Sequence, residues 1–338
     1  MTLHKMFTSN MVLQANKPIR VFGEGKGKAE VRFLSNTYHS QTIGERWEIL
    51  LPPMPYGGPY QMEIALDGHA VVLENVMIGE VILFAGQSNM QFAVGEEQTT
   101  EPFQYTTPSA IRTFVQERVQ PYEGLKSENG WVVCTKETLP QFSAIGYHVA
   151  RILHQNKGIS VGVIGCYQGA SIIESWIEKS LISQPQYYVP KEQRRFNESH
   201  PLYEEYGLWN VYGKLYRETF SKILPYTVGS IVWYQGESNT SVAESEIYPL
   251  WLKLLADSWR RDLGAPTLPF VIMQIADLEG TGEEWTMLQE AQERAVPLIL
   301  NAHLVVTKDV SERTNIHPAD KRKVSERVYQ VLFGEKAL

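Results

Sequence analysis

The sequence predicts an α/β protein, a three-layer α/β/α domain with a mainly parallel sheet, preceded by a small N-terminal β-sandwich. Two patterns carry that prediction. Residues 1–75 hold short apolar runs with partial period-two alternation and no helical period. From residue 76 to 338, apolar strand candidates alternate with helical stripes, as in right-handed βαβ units whose sheet is covered on both faces. The composition permits such a fold, since 43% of the 338 residues are hydrophobic and eight are Trp, enough to build a substantial core.

In the N-terminal region, strands are expected at 18–22, 29–34, 46–51, 60–65 and 70–73. Gly and Pro clusters separate them, among them Gly23-Glu-Gly-Lys-Gly27, Pro52-Pro53 and Asp67-Gly68. This spacing suggests an antiparallel sandwich without clustered reactive residues, an accessory domain over 1–75. In the 76–338 domain the expected strands are 81–85, 160–165, 229–235, 270–276 and 303–307. Helical patterns fall at 142–153, 208–224, 247–263, 283–296 and 319–333. Residues 91–141 are rich in Gln, Thr, Glu and Pro and read as an irregular excursion on the substrate side, a loop or lid.

Composition narrows the function classes. A formal charge of −7 argues against nucleic acid or an anionic membrane as the main partner. Two cysteines are too few for a disulfide framework. The first ten residues lack the apolar core of a signal peptide, and no run approaches the length of a membrane span. The expectation is a soluble, cytoplasmic protein, or a secreted one if a leader has been removed. No His-x-His, His-Glu-x-x-His or paired-Cys spacing offers a metal site, and no phosphate-binding glycine loop is present, so no cofactor is expected.

A doubly wound sheet gathers reactive groups where its strands end. Four strand exits are distinctive: Gly86-Gln-Ser-Asn89, Gly165-Cys-Tyr-Gln-Gly-Ala-Ser171, Trp233-Tyr-Gln-Gly-Glu-Ser-Asn239, and the segment from Asp309 to His317-Pro318. A serine, a glycine turn with free N–H groups, a polar amide and a late histidine are the parts for acyl transfer. Ser88 reads as a nucleophile or as a helix cap. His317, kept out of helical geometry by Pro318, reads as its base or as a cap on the last helix. The aromatic residues at 187–209 could stack on sugar rings or serve as core.

Gly86-Gln-Ser-Asn-Met90, Trp233-Tyr-Gln-Gly-Glu-Ser-Asn239, and Ile316-His-Pro318 followed by Lys321 together resemble the sialate O-acetylesterase family of SGNH-type serine hydrolases. Val12-Leu-Gln14, Pro18-Ile-Arg-Val-Phe-Gly23, Phe142-Ser-Ala-Ile-Gly146, Ile173-Glu-Ser-Trp176 and Leu268-Pro-Phe270 extend the likeness, in order, over nearly the whole chain. The resemblance implies a flavodoxin-like SGNH domain that removes acetyl groups from sugar hydroxyls, with an acetylated sugar or glycan as its partner. It implies Ser88 as nucleophile, His317 as base, and an oxyanion hole of the Ser88 N–H, the Gly169 N–H and the Gln235 side-chain amide. Gln87, Asn89, Glu237 and Asn315 would brace these groups, although a buried ion pair or hydrogen bond without a catalytic role fits Glu237 equally.

The acid that should steady the histidine departs from the pattern. Asn315 and Thr314 stand where the family and the wider superfamily carry Asp, and neither can hold a negative charge. Asp309 is the candidate in their place, with a backbone carbonyl as the alternative. An acetylxylan esterase, or a catalytically silent glycan-binding protein, are the rival readings.

Overall fold

The computed structural model describes residues 2–98, 104–119 and 130–334. The N-terminal region supplies β1 (Thr2–Leu3), β2 (Val12–Gln14), β3 (Ile19–Glu24), β4 (Lys28–Phe33), β5 (Asn36–Gln41), β6 (Arg46–Leu51), β7 (Gly57–Leu66) and the long β8 (His69–Gly86). The remainder adds β9 (Ile111–Val115), β10 (Val132–Val133), β11 (Val161–Tyr167), β12 (Ser230–Tyr234), β13 (Phe270–Met273) and β14 (Ala302–Val305). Strands β1, β3 and β6 form one antiparallel sheet, and β5, β4 and β7 form a second that continues onto the first half of β8.

The central sheet runs β10-β9-β11-β8-β12-β13-β14. Every neighbouring pair from β9 to β14 is parallel, and only β10 joins antiparallel at the edge. Strand β8 lies between β11 and β12, where the chain's progress across the sheet reverses. Its C-terminal end therefore opens on the crevice that such a reversal creates.

Burial on both faces follows from alternation along each strand. In β8, Val81, Leu83 and Ala85 join the core beneath the helices Val242–Leu263 and Glu283–Ala295. Ile82 and Phe84 point the other way, toward Ala144–Lys157 and Arg322–Phe333. Helix ends match their caps. Ser143 accepts a hydrogen bond from the Gly146 N–H, Ser241 and Glu244 form a capping box, and Gly158 and Gly264 close their helices in the left-handed conformation. None of the described helices is long and apolar enough to cross a membrane.

Three expectations change. The boundary expected at 75/76 falls inside β8, which pairs with β7 through His69–Ile78 and with β11 and β12 through Glu80–Gly86. Residues 91–141 are not uniformly irregular. Residues 99–103 and 120–129 of that stretch lie outside the described set, but Ile111–Val115 is a fully buried parallel strand beside β11. Its Arg112 breaks the apolar pattern and is buried because its guanidinium donates to the carbonyls of Asn10 and Asn75 and to the Asn75 side chain. The single helix expected at 208–224 is instead two short helical pieces, Lys214–Glu218 and the 3₁₀ turn Phe220–Ile223. The chain turns at Gly213, whose φ of 71° interrupts a right-handed helix.

Candidate active site

At the end of β8 the chain passes through Gly86 into a single helical turn, Ser88–Gln91. Gly86 has φ 136°, and a Cβ on it would lie 2.0 Å from the Tyr234 carbonyl oxygen of β12. Only glycine allows the two strand ends to approach so closely. The neighbouring exits close around the turn: the Gln87 N–H donates to the Tyr234 carbonyl at 2.9 Å, and the Gln168 N–H to the Gly86 carbonyl at 3.0 Å.

Ser88 and His317 come together here, with Ser88 Oγ and His317 Nε2 at 2.7 Å. The histidine precedes the last helix, as its Pro318 neighbour predicts. Burial, followed by the nearby Lys321 ammonium, lowers the His317 pKa below its ordinary value, while the Glu96 carboxylate opposes the shift. A neutral imidazole, able to take a proton, is thereby favoured.

Gly169 also lies where the sequence suggests. A Cβ on it would be 3.7 Å from Ser88 Cβ, so its backbone runs directly beside the serine. The Ser88 N–H has no backbone acceptor among the described residues. The Gly169 N–H donates to Gln91 Oε1 at 3.1 Å. Asn210 secures this loop by accepting from the Ile172 N–H and donating to the Ala170 carbonyl, which steadies Ala170 in a left-handed conformation of φ 51°.

Gln235 is not an oxyanion donor. It is fully buried, and its Nε2 donates to the Ser171 carbonyl and to Asn239 Oδ1, both at 2.8 Å. The Tyr248 hydroxyl fills its oxygen at 2.6 Å. With both N–H bonds committed inside the core, Gln235 ties the Ser171 loop to the Asn239 turn.

Asp309 does not orient the histidine either. It stands exposed in a two-pronged ion pair with Arg327, at 2.7 and 2.6 Å, and this guanidinium holds its carboxyl down at about 2. The arginine, on the following helix, presents a better partner than the imidazole could. Asp309→Asn is therefore expected to leave kcat/KM for acetyl-ester hydrolysis within about twofold of wild type. A hundredfold loss in that assay would restore Asp309 to the site.

The bracing residues form contacts of their own. Gln87 Oε1 accepts from the Gly236 N–H at 3.3 Å, and Asn315 Oδ1 from the His317 N–H at 2.9 Å. Asn89 is completely buried; its Nδ2 donates to Glu237 Oε1 at 2.7 Å and to the Ile316 carbonyl at 2.9 Å, and its Oδ1 accepts from Lys321 Nζ at 2.6 Å. Burial raises the Glu237 pKa, countered by Asn89 and by Lys321.

Sequence reasoning missed two neighbours of the Ser88 turn and one buried pair beside Lys321. Gln91, three positions after Ser88, lies on the same side of the helical turn, and that spacing was the available signal. Asn210 sits within a stretch whose aromatic rings are the stronger sequence signal. His148 pairs with the buried Glu97 carboxylate at 2.9 Å, across 51 residues of sequence that no local pattern connects.

Residues 78–327 match a family model described as carbohydrate esterase, sialic acid-specific acetylesterase. Human sialate O-acetylesterase is 25% identical over 342 residues, covering 89% of this chain and 62% of that protein. The mouse sialate O-acetylesterase is 23% identical, covering 86% of this chain and 64% of its own length. The chain thus spans less than two thirds of these curated relatives. A carbohydrate acetylesterase from Xanthomonas citri superposes with a TM-score of 0.82 at 25% identity, over 99% of this chain and 76% of that one. A protein from Arabidopsis thaliana shares the fold at 18% identity and a TM-score of 0.50, over 76% of this chain and 99% of its own.

Proposed function

This chain belongs to the sialic acid-specific acetylesterase family of carbohydrate esterases, and we propose that it removes O-acetyl groups from sugars, sialic acid foremost, by Ser88–His317 catalysis. One observation carries the mechanism: a serine hydroxyl 2.7 Å from an imidazole nitrogen, with the backbone of Gly169 alongside. Ser88 Oγ attacks the acetyl carbonyl carbon while His317 Nε2 takes its proton. The carbonyl oxygen becomes an oxyanion facing the N–H groups of Ser88 and Gly169. For that, Gln91 Oε1 must yield the Gly169 N–H to the substrate oxygen. His317 then protonates the departing sugar oxygen, leaving Ser88 acetylated. Water, deprotonated by His317, attacks the acetyl carbon; the bond to Ser88 Oγ breaks as His317 returns the proton to that oxygen, and acetate leaves.

The test is acetate release from O-acetylated sialic acid, acetylated xylan and a chromogenic acetyl ester. Release from the sialic acid substrate with kcat/KM above that for xylan supports the full reading. Faster release from xylan would move the assignment to an acetylxylan esterase. No release from any of the three, with retained glycan affinity, would instead favour a silent binding protein.

A further inference from the structure

The site holds a histidine with no acid behind it. Nothing among the described residues accepts a hydrogen bond from His317 Nδ1. Its precision must come from elsewhere, and one buried charge close by has no part in the chemistry. Lys321 is 1% exposed, four residues after the histidine and one before the last helix. Its Nζ donates to Asn89 Oδ1 at 2.6 Å and stands 4.8 Å from the centre of the Phe92 ring. Its own backbone is pinned too, with the N–H donating to Glu97 and the carbonyl accepting from the Ser325 hydroxyl.

We propose that Lys321 is a positioning residue of the Ser88–His317 pair: its buried ammonium locks the Asn89 amide, and Asn89 in turn holds the backbone of the histidine loop. Donor and acceptor counts set this orientation. An ammonium has three donors and no acceptor, so it can face only the oxygen of Asn89. Reversing the amide would set NH₂ against NH₃⁺. Both Asn89 N–H bonds are thereby aimed at Glu237 and at the Ile316 carbonyl, and Ile316 immediately precedes His317. Since Asn89 also follows Ser88, one side chain ties nucleophile and base together, and Lys321 on its oxygen, with Glu237 and the Ile316 carbonyl on its nitrogen, fixes which way that side chain faces.

The same charge acts on the ring through space. Lys321 and Glu96 are the ionic groups facing His317, the first disfavouring and the second favouring the imidazolium. Lys321 in turn faces the carboxylates of Glu237, Glu97, Glu312 and Glu96, while burial pulls its own pKa down to about 7. Across the range below 6.5 where His317 titrates, the ammonium is still charged, and the imidazole stays neutral to lower pH than it otherwise would.

This proposal rests on the Ser88–His317 esterase reading for its kinetic arm, and its spectroscopic arm needs no turnover. The His317 imidazole is titrated by NMR in wild type and in Lys321→Met, with His317→Gln identifying the signal. In Lys321→Met the midpoint is expected to rise by about half a pH unit or more, and the acid limb of kcat/KM to rise with it. Turnover at the pH optimum is expected to fall about tenfold with KM little changed, because alignment and not sugar contact is lost. Should Lys321→Met fail to fold, Lys321→Met/Glu237→Gln removes both buried charges together, and the same upward shift is expected. An unchanged titration in the folded variant, or a uniform drop in activity at every pH, would overturn the proposal. A wild type that releases no acetate while its titration still responds to Lys321→Met would sink the esterase reading alone.

Discussion

Replacing Ser88 by alanine is expected to lower kcat/KM for acetyl esters by about 10⁴-fold or more, with the fold unchanged. Among the described residues the serine hydroxyl bonds His317 Nε2, so the truncation removes the attacking atom and disturbs little packing. Without it, His317 can still activate a water directly, and the two backbone N–H groups remain, which leaves only a small residue of catalysis. Acetate release and labelling by a serine-directed fluorophosphonate measure the same atom independently. Activity within tenfold of wild type, or undiminished labelling, would remove Ser88 from the mechanism.

Gly86→Ala is expected to be nearly as damaging by a different route. The new Cβ would meet the Tyr234 carbonyl oxygen at 2.0 Å and its carbon at 2.6 Å. Neither strand can step aside cheaply. Gly86 is in register with Tyr234 on one side and Tyr167 on the other, and the Tyr234 carbonyl already receives the Gln87 N–H. The positive φ adds a penalty for any side chain. Together these should cost about 3 kcal/mol or more of stability and displace Ser88 from His317. Thermal unfolding and acetate release would both report it. A variant melting like wild type with full activity would mean that the close β8–β12 approach does not constrain the Ser88 turn.

Much of the fold was legible because buried parallel strands leave an unbroken apolar signature, as in Val81–Ala85, Val161–Gly165 and Phe270–Met273. Ile111–Val115 lacked that signature. Its Arg112 and Thr113 interrupt it, and their burial is tolerable because Arg112 bonds Asn10 and Asn75, distant in sequence, and the Thr113 hydroxyl donates to the Val163 carbonyl of the neighbouring strand. Within the site, Ser88 and His317 could be found because each sits at a strand exit or before a helix, where local sequence rules apply. Gln235 and Asp309 could not be judged that way. Whether an amide or a carboxylate is free to act depends on who else bonds to it. Tyr248, Asn239 and Arg327 answer that question only once the chain is folded. Lys321 was visible as the end of a motif, yet its relation to Asn89 spans 232 residues.

The length of β8 has a consequence for how this protein can be cut or recombined. A chain beginning at residue 76 would keep every side chain of the site. It would lack β2, which pairs with Met77–Gly79, and Gln14, whose side chain accepts from the Val81 N–H and donates to Glu80. The strand that presents the nucleophile would start as a frayed end with an uncovered carboxylate on it, and the Tyr226 hydroxyl would lose the Val12 carbonyl it now bonds. The accessory sheet is thus no detachable handle. It is the far end of the strand that leads into Ser88.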